Sequence, residues 1–274
     1  MATIVAVMAL GVTACTSTNE SAEGEQAPVS SGLNLVNDGV LTVCISKNAY
    51  PPMYWNEGGE LTGFDVESLR KIGEALDLEV KFSEMAFDGL LPALTSGRCD
   101  VLRSGMYINE ERQEKADTIA YLQTGPALIV PSGNPLKISG VDDLAGVRIA
   151  VQAASANEKT LQRISEDLVA RGLEGITLSS YPELPETVAA LTNGRVDATI
   201  ETDVAANEVA ETLGEGYEVL GDLFEAETEF GMFLQKGSDL TETIRATAST
   251  LTEDGTFAAV AESFKLMPSR VIAP

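Results

Sequence analysis

The chain has 274 residues and a formal net charge of −24, with 18 Lys+Arg against 42 Asp+Glu. That acidity, with no basic run to meet phosphates, excludes nucleic acid as a partner. Histidine is absent, which removes His-based triads and His-ligated metal sites, and the cysteines show no zinc spacing, so no metal or cofactor is expected.

Residues 1–14 carry no charge, are almost all apolar or small, and end in Val12-Thr13-Ala14-Cys15, where the chain turns polar. Such a run is too short for a membrane span, which needs about 20 residues, and suits a secretory signal. The segment resembles a bacterial lipobox, which implies lipidation at Cys15 and a membrane anchor. Secretory signals open on Lys or Arg, yet none precedes Lys47, which favours a true start upstream of Met1 over atypical export. Residues 16–32 are small, polar and acidic, so residues 16–39 are expected to form a disordered tether. The remainder is a soluble body of about 240 residues, enough for one large domain or two modest lobes.

Within the body, Leu41–Ile45 is a short apolar run typical of a strand buried on both faces. A helix capped by Asp65 comes next, with Leu69, Ile72 and Leu76 at three- and four-residue spacing. Residues 79–82 read as a second strand, residues from Asp88 to Gly97 as a second helix, and Cys99 to Leu102 as a third strand. This βαβαβ order predicts a largely parallel sheet with helices on its faces. Cys44 and Cys99 then sit on neighbouring strands. Export permits a disulfide between them, but bridges between adjacent parallel strands are awkward, and the balance favours free buried thiols.

A long-range repeat organises the rest. Residues 93–101 (ALTSGRCDV) return as residues 190–198 (ALTNGRVDA), identical at six of nine positions. Each copy reads as helix end, glycine cap, turn and strand, and the spacing is too long for a solenoid unit. Two lobes of similar construction are expected. The first takes residues 40–129, the second residues 130–221, with strands near 148–151, 176–179 and 197–202. Residues 222–274 offer a strand at 230–234 and two helices ending near Phe264, and are expected to return to the first lobe, making a hinge of two crossings.

Five segments occur in order: Tyr50-Pro51-Pro52-Met53, Gly63-Phe64-Asp65-Val66, Phe87 to Leu94, Ser104-Gly105-Met106 with Glu111-Arg112, and Asp254-Gly255-Thr256-Phe257. Together they resemble the polar-amino-acid family of bacterial solute-binding proteins, family 3, over about residues 40–266. The resemblance implies a type II periplasmic binding protein: two doubly wound α/β lobes, a two-strand hinge and a ligand cleft between them. It further implies a monomer that delivers an amino acid or related small carboxylate to an ABC transporter permease, without catalysis. In open α/β sheets ligands bind beyond the carboxyl ends of the strands, which points to residues 103–107 and 201–203.

By the same resemblance, Arg112 takes the ligand's α-carboxylate through its planar fork. Ser104, Gly105 and Met106 add hydrogen bonds. Tyr107 stands where the family usually has Ser or Thr, so either its hydroxyl substitutes or its ring narrows the pocket. Tyr50 and Phe87 match rings that sandwich the ligand's side chain. Ser155 and Ala156 match the start of a helix whose free N–H groups face the carboxylate, though Ala156 lacks the hydroxyl often found there. The amine-binding acid is replaced by Thr202 in an ungapped reading, with Glu201 and Asp203 flanking it. Lys47 stands where several relatives have an acid, and Arg103 adds another cation. Lys47 and Arg103 either pair with local acids or, with Arg112, mark a ligand of extra negative charge, such as an acidic amino acid, a dicarboxylate or an opine. Two other functions compete with binding for transport. An enzyme on the same fold, dehydratase-like or lytic-transglycosylase-like, would need a tuned acid or base. A receptor's sensor module would need a spanning helix that this sequence does not offer.

Overall fold

The computed structural model describes residues 1–2, 32–221, 223–224 and 228–274. Cys15 and residues 16–31 of the expected tether lie outside the described residues.

The first lobe opens with β1 (Val40–Ser46), whose central residues are fully buried. A short hairpin of β2 (Trp55–Glu57) and β3 (Glu60–Thr62) leads into α1 (Phe64–Leu76). The N-cap of α1 is Gly63, not Asp65: its φ is 117°, and a Cβ there would lie 2.4 Å from the Met53 carbonyl oxygen. Asp65 instead sits buried in the first helical turn. Then come β4 (Glu79–Met85), a 3-10 turn at Phe87–Gly89, α2 (Leu90–Thr95), β5 (Val101–Leu102) and α3 (Glu110–Lys115). Strand β1 pairs in parallel with both β4 and β5.

Two long strands make the crossing between lobes. β6 (Ala116–Thr124) belongs to the first sheet, and β7 (Pro126–Pro131) lies wholly in the second, so the crossing falls at Gly125 rather than at residue 129. The second lobe continues with β8 (Arg148–Gln152), α4 (Ala156–Ala170), β9 (Thr177–Tyr181), α5 (Leu184–Thr192), β10 (Ala198–Thr202), α6 (Asp203–Leu213) and β11 (Tyr217–Leu220). Its sheet order is β11-β7-β10-β8-β9.

The chain then returns. β12 (Thr228–Gln235) inserts between β5 and β6, antiparallel to both, giving the first sheet the order β4-β1-β5-β12-β6. Helices α7 (Leu240–Glu253) and α8 (Thr256–Ser263) pack against α1 in the first lobe's core, through Ile244, Ala248 and Phe257. The second lobe keeps an apolar core of its own around Ile149, Val151, Leu161 and Leu168.

Cys44 and Cys99 form a disulfide, with Cα atoms 5.7 Å apart. The expectation of free thiols assumed two strand residues side by side. Cys99 stands instead in the turn before β5, where the backbone is free of the parallel register.

Candidate functional site

Between the lobes lies a small cavity lined from both sides. The floor on the first lobe is the turn after β5. Gly105 has φ +54°, and a Cβ there would come within 2.7 Å of the Tyr50 ring, so the glycine lets Tyr50 lie against the backbone. The Ser104 hydroxyl accepts the Ser46 N–H at 3.0 Å and donates to the Tyr54 hydroxyl at 2.9 Å. The Gly105 N–H donates to Asp65 Oδ2 at 3.0 Å and the Met106 carbonyl accepts the Gly231 N–H at 2.9 Å, so those two groups are engaged inside the lobe.

Arg112 reaches the cavity from α3. Asn109 caps that helix by accepting the Arg112 N–H at 2.9 Å, and the guanidinium Nη1 donates to the Tyr107 carbonyl at 2.6 Å. The side chain is 7% exposed, and among the described residues it has no carboxylate partner. Burial lowers its pKa to about 10. A buried cation without an anion is costly, so the geometry leaves a place for one.

Glu201 supplies the opposite charge. It is 4% exposed at the end of β10, lines the same cavity and has no cation partner among the described residues. Burial raises its carboxyl pKa to about 8, against smaller lowering effects from the Tyr50 hydroxyl, 3.5 Å away, and the Thr202 backbone. The expected amine-binding position, Thr202, lines the cavity as a hydroxyl: its Oγ1 lies 2.8 Å from the Tyr50 hydroxyl and accepts the Ala205 N–H as the N-cap of α6. Asp203 is engaged elsewhere, with Arg270 at 2.6 Å, the Thr124 hydroxyl at 2.6 Å and the Gly125 N–H at 3.3 Å. Of the two acids flanking Thr202, Glu201 faces the ligand space.

The aromatic positions Tyr50 and Phe87 both line the cavity. Tyr107 also lines it, its ring stacked on Phe230 at 5.4 Å and its buried hydroxyl without a partner among the described residues. On the second lobe Ser155 and Ala156 line the cavity at the start of α4. Ser155 accepts the Glu158 N–H at 3.1 Å as the N-cap, leaving earlier N–H groups of the turn to an anion.

Two expected site residues fall elsewhere. Arg103 is 0% exposed and does not line the cavity. Its Nε donates to Asp65 Oδ1 at 2.9 Å, and its guanidinium lies 3.7 Å from the Tyr121 ring centroid and 5.3 Å from that of Phe64. The lobe interior already holds the Asp65 carboxylate, and Arg103 turns inward to compensate it. Lys47 stands outside the lining and pairs across the lobes with Glu183 at 3.0 Å, its side chain 52% exposed. The cavity is therefore not rich in free cations, and the expectation of an extra-anionic ligand loses its basis.

Sequence reasoning missed Asn48, Tyr54, Gln152 and Leu184 as lining residues and left Glu201 open. The repeat itself carried the signal for Glu201. Carried forward by the repeat spacing, Ser104 and Gly105 fall on Glu201 and Thr202, and all four line the cavity.

Comparison with known proteins gives the family and the fold. The L-cystine-binding protein TcyJ of Escherichia coli is 29% identical over 236 residues, covering 85% of each chain. An ancestral arginine-binding protein bound to arginine superposes with a TM-score of 0.74 at 31% identity, over 82% of this chain and 98% of that one. An ancestral amino-acid-binding protein, a precursor of cyclohexadienyl dehydratase, superposes with a TM-score of 0.73 at 25% identity, over 82% of this chain and 95% of that one. The sequence profile of the bacterial extracellular solute-binding proteins, family 3, matches residues 41–266. With two α/β lobes of the type II periplasmic kind closed on a cavity that holds one buried cation and one buried acid, the chain belongs to that family.

Proposed function

We propose that this protein is the substrate-binding component of an ABC importer, anchored outside the cell membrane by lipid at Cys15, and that it captures an amino acid by closing its lobes. The observation that carries the reading is Arg112, a buried guanidinium facing the cavity with no carboxylate of its own among the described residues. The ligand's α-carboxylate supplies that partner, joined by the N–H groups at the start of α4. Glu201, across the cavity, takes the α-ammonium. The two ends of a zwitterion thus meet opposite charges from opposite lobes, so binding and closure are one event. Nothing in this scheme requires turnover, and the protein binds without catalysis.

Arg112→Ala should abolish binding while leaving the fold intact. Removing one partner of a buried charge-assisted pair costs about 2–5 kcal/mol, or tens- to thousands-fold in affinity. Isothermal calorimetry against cystine, arginine, histidine and glutamine, with circular dichroism as the folding control, reads the effect. An affinity within threefold of wild type removes Arg112 from the site. Mass spectrometry of the recovered ligand tests the absence of turnover.

A further inference from the structure

The cavity holds two ionisable groups, Arg112 and Glu201, whose charged forms match the two charges common to every α-amino acid. A charged side chain would bring a third. Beyond the lining, Lys47 and Glu183 lie one residue behind it, one on each lobe, and pair with each other across the lobes. Lys47 precedes the lining residue Asn48, and Glu183 precedes the lining residue Leu184. Glu183 is the N-cap residue of α5. One of its oxygens takes Lys47 Nζ at 3.0 Å, and the other accepts the side-chain amide of Asn48. A single carboxylate of the second lobe therefore holds two consecutive residues of the first.

We propose that Lys47 and Glu183 form a self-neutralised gate that selects amino acids whose side chain carries no net charge. The proposal rests on the amino-acid reading above and deepens it. A cationic side chain arriving at Asn48 finds Glu183 already paired, and an anionic one finds Lys47 paired. Either must displace the partner, which also breaks a contact that holds the lobes together. The lining offers uncharged groups, namely the Ser46 hydroxyl, the Asn48 amide and the Gln152 amide, the last without a hydrogen-bond partner among the described residues. Tyr50 and Phe87 add ring faces. Uncharged polar groups and rings suit a neutral side chain and give a third charge no partner, and burying an unpaired charge is the costlier error.

The test is a calorimetric series with glutamine, cystine, arginine and glutamate on wild type, Lys47→Ala, Glu183→Gln and the swap Lys47→Glu/Glu183→Lys. In wild type, glutamine should bind at least about tenfold tighter than arginine and glutamate. Lys47→Ala frees Glu183 and should raise the arginine-to-glutamine affinity ratio at least about tenfold. Glu183→Gln frees Lys47 and should raise the glutamate-to-glutamine ratio likewise, and the swap should restore the wild-type ratios. Ratios are the readout because losing the inter-lobe contact weakens every ligand together. Smaller shifts, or a wild type that prefers arginine or glutamate, overturn the gate and leave the amino-acid reading standing. A wild type that binds none of the four overturns that reading as well.

Discussion

Residues 93–101 and 190–198 build the same corner twice. In each lobe the helix ends on a left-handed glycine, Gly97 at φ +73° and Gly194 at φ +66°. In each, the arginine N–H after it returns to the helix, Arg98 to the Ala93 carbonyl at 3.0 Å and Arg195 to the Ala190 carbonyl at 2.9 Å. The aspartate N–H then joins the neighbouring strand, Asp100 to the Thr42 carbonyl and Asp197 to the Arg148 carbonyl, both at 2.8 Å. Beyond that the corners diverge. The first lobe locks its copy with the Cys44–Cys99 disulfide and, three residues on from Asp100, buries Arg103 against Asp65. The second has Val196 in the cysteine's place, holds Asp197 with the exposed Arg148 and leaves Glu201 buried without a cation among the described residues. At this corner the first lobe neutralises its buried charge with its own residues, while the second leaves a buried acid facing the cavity.

The largest expected effect is at the buried pair. Arg103→Ala leaves the Asp65 carboxylate without its cation inside the first lobe and should cost about 3–5 kcal/mol in urea unfolding. A loss below about 1 kcal/mol would mean that Asp65 is neutral in the folded protein. Next comes the disulfide. It joins residues 55 apart in sequence, and chain entropy for such a loop gives about 4 kcal/mol, with measured cases typically about 2–4. The paired Cys44→Ala/Cys99→Ala variant should lose that much, with reduced and oxidised wild-type protein as the reference.

A third expectation concerns pH. Burial pushes the Glu201 carboxyl up to about 8, so at neutral pH it holds a proton that an incoming ammonium must release. Affinity should therefore rise with pH up to about 8, approaching tenfold per pH unit as one proton is lost. Calorimetric constants at pH 6, 7 and 8 read the slope, and Glu201→Gln should flatten it while weakening binding. The smallest effect belongs to the second lobe's own pair. Arg148 and Asp197 are 2.6 Å apart but water-exposed, so Arg148→Ala should lower the urea midpoint only slightly. A loss as large as that of Arg103→Ala would end the contrast between the lobes.

The sequence carried the architecture further than the site. Strand-like stretches were legible at β1, β4, β8, β9, β10 and β12, with β1 a short apolar run because a strand buried on both faces needs no alternating pattern. The hinge strands were less visible: polar residues such as Asp117, Thr118 and Gln123 break up β6, and β7 merges into the Pro-rich loop after it. At the site, Arg112, Tyr50, Phe87, Ser155 and Thr202 were legible through motifs, and all line the cavity. Arg103 and Lys47 were not, because an arginine at a strand end gives no local sign of which way it turns. Its direction was decided by Asp65, 38 residues earlier, and that of Lys47 by Glu183 on the other lobe. Glu201 and Asp203 were separable only once Arg270, near the far end of the chain, was seen holding Asp203.

The place of β12 shapes how the molecule is made. The second lobe's sheet comes from one unbroken stretch, β7 to β11, whereas the first lobe receives β12 between β5 and β6 only after that stretch is finished. A chain emerging from its N-terminus therefore presents the second lobe whole while the first still has two strand edges open. Open edges invite pairing with foreign strands. The lobe that is synthesised first is the last to assemble, and its vulnerable interval lasts until Gln235 has emerged.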